Sequence, residues 1–369
     1  MSPGAAAPTR VAFLSDAMPQ RNGVGTYYGD LIDQLHGSRV TAALFGPGDP
    51  RSELFTVPLP GDSTQRLSLP SPRQLAKQMG ALKPSVVVVA TPGPYGLLGA
   101  RIARRLGARV IIGFHTHLEK LTDIYWSSLF GRFSRRYLEV THRHLLRHGT
   151  VTLANSEEMV EIARRLGAGD VRLIGTLLAQ PFLAPAAPPP REGVERLLFA
   201  GRLAPEKNIE AIVQAAEHLP EMSFSIVGEG PQRPLVEEAA RRLANVRALG
   251  WIGRSELAAL IDEHDLMLLP SRVESFGTAG LEGMARARPV LTSRHCGMVQ
   301  WECLRSALYE IHPGEPLHQA IRRVAEVPPA ERREVGERAR AAALELNRES
   351  LAHWLELLGE DDELATPPA

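Results

Sequence analysis

Short apolar runs rich in Val, Ile and Leu recur along the chain, each followed by a helix-length stretch in which polar and apolar residues mix. In the first half such runs predict strands at 10–15, 39–45, 85–90, 109–115 and 150–155. In the second half they fall at 196–201, 222–228, 246–250, 265–270, 289–293 and 306–311. A strand that is apolar throughout is buried on both faces, and a helix between two such strands makes a parallel crossover unit. The pattern therefore predicts an α/β protein with two Rossmann-like, doubly wound parallel sheets.

Between them lies PFLAPAAPPPREGVE, 181–195, whose prolines deny the chain a helix interior or a central strand. This sets a first domain at 1–184, a linker at 185–195 and a second domain at 196–345. A C-terminal helix and acidic tail follow at 346–369, with the helix free to cross back to the first domain. In open α/β sheets ligands sit beyond the carboxyl ends of the strands, so two facing sheets imply a cleft.

Composition narrows the class. At 369 residues the chain is too long for one ordinary core. Lys plus Arg and Asp plus Glu balance at 42 each, which argues against a nucleic-acid partner. No apolar run approaches a membrane span, and the opening MSPGAAAPTR reads as a loose leader rather than a signal peptide. Cys296 and Cys303 fit neither a zinc pattern nor a disulfide scaffold, so the cytoplasm is the expected compartment.

The chemistry concentrates in the second half. ESFGTAGLE, 274–282, follows a strand and opens a helix near Thr278, where unpaired amides and the helix dipole welcome an anion. Gly277 and Gly280 let a bulky ligand approach the main chain. Glu282 can accept from two ribose hydroxyls, while Glu274 reaches another part of the same ligand. The plain alternative is an acidic helix start that favours the dipole. Upstream, FAGRLAPEKN places Arg202 and Lys207 on a strand-to-helix loop at the same edge, a pairing suited to a pyrophosphate. VGEGP adds Gly228 and Gly230, and LGWIGR ends a further strand.

GRLAPEKN, VGEGP and ESFGTAGLEGMARARPVLTS together resemble retaining nucleotide-sugar glycosyltransferases of the E-x7-E type, family 4-like and group 1, which have the GT-B fold. The resemblance covers the whole second domain. It implies that Arg202 and Lys207 hold the donor diphosphate, Glu282 the ribose and Glu274 the donor hexose. Backbone amides from Phe276 through Gly277 and Thr278 to Ala279 would contact phosphate or sugar, and the loop around Ile252, from Trp251 to Arg254, would flank the base.

The first domain matches less closely. The family carries a Gly-Gly pair after its first strand; here Asn22-Gly23 stands there, followed by Val24 and Gly25. Asn tolerates the left-handed geometry, so the donor-side turn can survive. At the end of the 109–115 strand the resemblance places a histidine near the donor's reacting carbon, His115 first and His117 in reserve. The family's Pro-Asn-Gly-Val-Asp segment is replaced by VRLIGTLLAQPF, 171–182, which puts acceptor or hinge contacts there in doubt.

Residues 126–148 are basic with interleaved aromatics. The plain reading, a helix packing its apolar stripe on the sheet, takes precedence. The other, a helix lying on anionic lipid at the inner membrane face, keeps a lipid-linked acceptor in play. The expected reaction is transfer of a hexosyl group from a UDP- or GDP-sugar to a hydroxyl acceptor, a glycolipid or cell-envelope glycan precursor, with retention. No Asp-x-Asp cluster stands at a strand end, so neither metal nor cofactor is expected. A nucleotide-sugar epimerase, or a non-catalytic protein binding sugar nucleotide or a lipid surface, are the rival readings.

Overall fold

A computed structural model of the chain describes residues 8–18, 23–48, 52–59, 62–115, 129–185 and 191–359; side chains are described for these except 58–59, 62–65 and 129–135. Asn22, all of residues 116–128 including His117, the prolines at 188–190 and the acidic tail lie outside the described residues.

The first sheet contains β1 (Thr9–Leu14), β2 (Val40–Phe45), β5 (Val86–Val89), β6 (Arg109–Phe114), β7 (Val151–Ala154) and β8 (Val171–Leu173), in the order β2-β1-β5-β6-β7-β8. Its strands are all parallel. The remaining pair, β3 (Glu53–Leu59) and β4 (Asp62–Pro70), forms an antiparallel hairpin outside that sheet. Sequence pattern did not predict this hairpin or β8. Prolines 58 and 70 obscure the hairpin, although Phe55, Val57, Leu67 and Leu69 keep the alternation of a strand.

Helices α1 (Gly23–Leu35), α2 (Pro72–Leu82), α3 (Pro94–Leu106), α4 (Leu129–His148) and α5 (Glu157–Arg165) connect these strands. Helix α1 packs on one face of the sheet through Tyr27, Tyr28 and Leu31. On the other face Met79 of α2, Ile102 of α3, Leu145 of α4 and Met159 of α5 fill a separate core.

After a short α6 (Gln180–Leu183), the second sheet contains β9 (Arg196–Ala200), β10 (Ser223–Val227), β11 (Val246–Gly250), β12 (Leu266–Leu269), β13 (Val290–Ser293) and β14 (Tyr309–Ile311). Their order is β11-β10-β9-β12-β13-β14, again all parallel. The β14 strand starts later than the predicted 306. Helices α7 (Ile209–His218), α8 (Arg233–Arg242), α9 (Arg254–Asp262), α10 (Thr278–Ala285), α11 (Glu302–Arg305) and α12 (Leu317–Glu326) flank it.

The last helix, α13 (Pro329–Leu358), begins well before the predicted residue 346. Ala339, Ala343 and Leu346 pack into the second lobe's core, whereas Trp354, Leu357 and Leu358 join the core beneath α1. Trp354 is fully buried, and its indole N–H donates to the Tyr27 hydroxyl at 2.7 Å. A single helix thus ties the lobes together. No helix among the described residues is long and apolar enough to cross a membrane.

Candidate functional site

The loops at the carboxyl end of the second sheet are bonded to one another through main chain. Gly201 N donates to Val227 O at 3.0 Å, Leu203 N to Glu229 O at 2.8 Å, and Gly228 N to Gly250 O at 2.8 Å. This close stacking is what Gly228 and Gly230 permit. At φ 139° and 154°, a Cβ on either would stand 1.8 Å from Gly201 O or 2.3 Å from Leu203 O.

Arg202 and Lys207 lie on the β9–α7 loop, which closes through a 3-10 turn at Pro205–Lys207. Asn208 then adopts a left-handed conformation, φ 57°, and its amide reaches Pro270 O at 3.2 Å. The Glu206 carbonyl accepts from Arg272 N at 2.7 Å, so the cationic loop is fastened to the loop that carries Glu274. Lys207 Nζ donates to Glu274 Oε2, with the two side chains only 19% and 18% exposed. Burial works against the Lys207 charge, but the Glu274 carboxylate outweighs it and holds the lysine pKa above its ordinary value. Arg202 leans on Glu206, Nη1 to Oε1 at 3.4 Å.

Gly277 precedes α10 at φ 103°, and the helix starts at Thr278 as the sequence predicts. A Cβ on Gly277 would stand 2.5 Å from Cys296 Sγ, and one on Gly280 2.8 Å from Met298 Sδ. These glycines therefore let Cys296 and the 3-10 turn at Gly297–Gln300 pack closely against the helix start. The Phe276 side chain is buried, and its carbonyl accepts from Met298 N at 2.8 Å. Thr278 and Ala279 are half-buried at the helix start, where amides lack intrahelical acceptors.

Glu282, in the second turn of α10, is buried at 2% exposure and accepts from Arg254 Nη1. Burial pushes its carboxyl above the usual range, opposed by Arg254. Arg254 opens α9 and stacks over the Phe182 ring at 5.1 Å. Its second terminal nitrogen donates to Asp30 of α1, in the first lobe. Sequence reading gave Arg254 only a place near the base and missed Asp30. The available signal was Asp30 itself, a carboxylate on the apolar stripe between Tyr27 and Gln34. Ile252, two residues before Arg254, packs partly on the second lobe's core, and Trp251 is 53% exposed.

On the first-lobe side, Gly23 and Val24 begin α1. His115 follows β6, with Nε2 at 2.8 Å from the Tyr28 hydroxyl and the Tyr27 ring at 5.2 Å. Burial lowers its pKa to about 4, so the ring is neutral at physiological pH. Asp16, just beyond β1, caps α3 by accepting from Tyr95 N at 2.8 Å and from the Thr91 hydroxyl at 2.6 Å. The candidate groups are thus a Lys207–Glu274 pair on loops after β9 and β12, an Arg254-bridged couple of Asp30 on α1 and Glu282 on α10, and a neutral histidine after β6. Such a set can hold an anionic leaving group and polar hydroxyls together.

Comparison with known proteins gives the same picture. Residues 184–342 match the family described as Glycosyl transferases group 1, and residues 21–176 match Glycosyltransferase Family 4. A glycogen synthase from Mycobacterium tuberculosis is 36% identical over 120 residues, 31% of this chain but only 29% of its own length. A GDP-mannose-dependent alpha-mannosyltransferase from Mycolicibacterium smegmatis is 27% identical over 306 residues, covering 76% of this chain and 79% of its own. The fold resembles that of sucrose-phosphate synthase from Thermosynechococcus elongatus, with TM-score 0.72, 19% identity, and coverage of 95% and 98% of the two chains. Anabaena HepE, solved with UDP and glucose, gives TM-score 0.68 at 18% identity, covering 94% and 99%. With both halves matched in order and the two sheets built alike, the chain belongs to the GT-B glycosyltransferases of group 1, with a family 4-type first lobe.

Proposed function

We propose that this protein transfers a hexosyl group from a nucleoside-diphosphate sugar, a UDP- or GDP-sugar, to an acceptor hydroxyl with retention of configuration. The observation that carries the reading is the fastening of the Arg202 and Lys207 loop to the Glu274 loop through the Lys207–Glu274 ion pair. It sets cations for a diphosphate beside a carboxylate for the sugar.

In this reading Lys207, Arg202 and the first amides of α10 stabilise the charge that grows on the departing diphosphate, without a metal. The bond from the anomeric carbon to the phosphate oxygen breaks as the acceptor oxygen bonds on the same face. The acceptor proton passes to the leaving phosphate oxygen. Glu274 orients hexose hydroxyls; held by Lys207, its carboxylate is poorly placed to attack carbon. Glu282 turns from Arg254 to the ribose hydroxyls, and the neutral His115 offers a hydrogen bond at the sugar. Domain closure excludes water.

The mycobacterial mannosyltransferase and the UDP-bound HepE support a UDP- or GDP-sugar donor. A glycolipid or envelope-glycan precursor is the acceptor class proposed, used by a cytoplasmic protein that touches the inner membrane face. The test titrates UDP-, GDP- and ADP-sugars and follows melting temperature, then assays transfer to lipid and soluble acceptors with and without chelator. The donor that shifts melting should be consumed only with acceptor present and with chelator tolerated. An isomerised sugar formed from donor alone would replace this reading with an epimerase.

A further inference from the structure

The balanced charge of the chain hides an uneven distribution. Helices α2, α3 and α4 lie side by side on one face of the first sheet, because Leu75, Ile102 and Leu145 share one core there. Their outward faces therefore form one wall. Helix α2 exposes Arg73 and Lys77 and contains no acidic residue. Helix α3 exposes Arg101, Arg104 and Arg105, again with no acid. The described side chains of α4 add Arg136, Arg143 and Arg147 against one acid, Glu139, which Arg143 engages at 2.9 Å and Arg136 approaches at 3.9 Å. Acidic residues reappear on α5, at the far margin.

The apolar surface collects on the same wall. The hairpin pairs Phe55 with Leu69 and Val57 with Leu67, which puts these four on one face. That face points outward: Phe55 is 56% exposed and Leu69 46%. The polar face points inward, with Ser68 buried and bonded to Thr56 at 3.1 Å. A hairpin ordinarily turns the opposite way. Leu67 on that face and Leu54 beside it are also exposed, as are Leu106, Tyr137 and Val140 on α3 and α4. Among the described residues, Trp251 is the one exposed large hydrophobic side chain elsewhere.

We infer that the wall formed by the hairpin, α2, α3 and α4 docks on an anionic phospholipid bilayer, with the hairpin's apolar face entering the headgroup region. Cations that lie flat beside exposed aliphatic side chains match a surface with negative headgroups over an apolar interior. A second copy of the chain would set this wall's charge against its own kind. A nucleic acid would leave the aliphatic leucines uncovered. Tyr95, at the start of α3 that Asp16 caps, is buried with its hydroxyl toward Ser52 and Ser68 at the hairpin. Docking would thus hold the first lobe's cleft edge against the lipid, which deepens the lipid-borne acceptor reading and rests on it for its purpose.

Binding is measured without catalysis, so its failure is separate from failure of the transferase reading. The full chain is sedimented with vesicles of phosphatidylcholine alone and of phosphatidylcholine with phosphatidylglycerol. Binding should require phosphatidylglycerol and fall with salt. Reversal of two charges, R104E with R105E, should weaken it at least about tenfold. The pair Phe55→Ser and Leu69→Ser should weaken it about tenfold in a salt-insensitive way. An unchanged urea midpoint shows that the variants fold. No binding to the anionic vesicles, variants that bind like the wild type, a parent dimer in light scattering that the variants lose, or equal affinity for duplex DNA would each overturn the proposal.

Discussion

Arg254 divides its two terminal nitrogens between the lobes: one donates to Glu282 of α10 and the other to Asp30 of α1. The same guanidinium therefore neutralises the carboxylate proposed to hold ribose and pins the helix that begins at the donor-side turn. Removing it leaves two largely buried carboxylates without their counter-ion. Arg254→Met should cost about 3 kcal/mol of stability, read as a lower urea midpoint. Asp30→Asn removes only the link between lobes and should cost less. An Arg254→Met variant as stable as the parent would show that the pair is a solvated accident.

Lys207→Ala and Arg202→Ala should each lower turnover by roughly 10²–10³ while the fold is kept. Lys207→Ala also frees Glu274, so a steady-state assay should show the loss in kcat more than in KM. Glu282→Ala should weaken nucleoside-diphosphate binding in calorimetry. Equal affinity for parent and variant would remove Glu282 from the ribose site.

Stability should fall with acid over a definite window. Burial lowers both His115 and His142 to about 4, below the ordinary value near 6.5. The unfolded chain takes up these protons first, so stability is intact above pH about 6.5 and is lost as pH falls toward 4. Each ring contributes at most roughly 3 kcal/mol across that range. His142→Gln should flatten the dependence of the urea midpoint between pH 7 and pH 5, compared with the parent. An unchanged slope would place the titration elsewhere.

The two cysteines should differ in reactivity. Cys296 is buried beneath α10, where burial and then the nearby Glu274 charge push its thiol up to about 12. Cys303 is exposed. A thiol reagent should modify one site in the native protein, and Cys303→Ser should abolish that labelling. Gly277→Ala presses a methyl group toward Cys296 Sγ and forces Ala into φ 103°, at a cost of about 1–3 kcal/mol. Labelling of Cys296 in that variant would report the helix start loosening.

Strand order along the chain, the two sheets and the residues of the cation loop and ESFGTAGLE were legible because each depends on local pattern. Apolar runs mark buried parallel strands, and charged residues just after such runs fall at the cleft edge. The hairpin was not legible, since prolines mask its alternation and its apolar face points away from the core. The early start of α13 was missed because its first half is rich in arginine and alanine, and burial is assigned only when a partner lobe is present.

The sequence by itself determined that two parallel sheets form and that Arg202, Lys207 and Glu274 follow strands of the second, with Glu282 in the helix after them, because strand period and loop position are properties of neighbouring residues. Tertiary structure alone decided which charges meet. Asp30 and Glu282 are more than two hundred residues apart and share Arg254 only because the lobes face each other. It also decided that basic helices and an inverted hairpin line one wall, since a face exists only once helices pack side by side on a sheet.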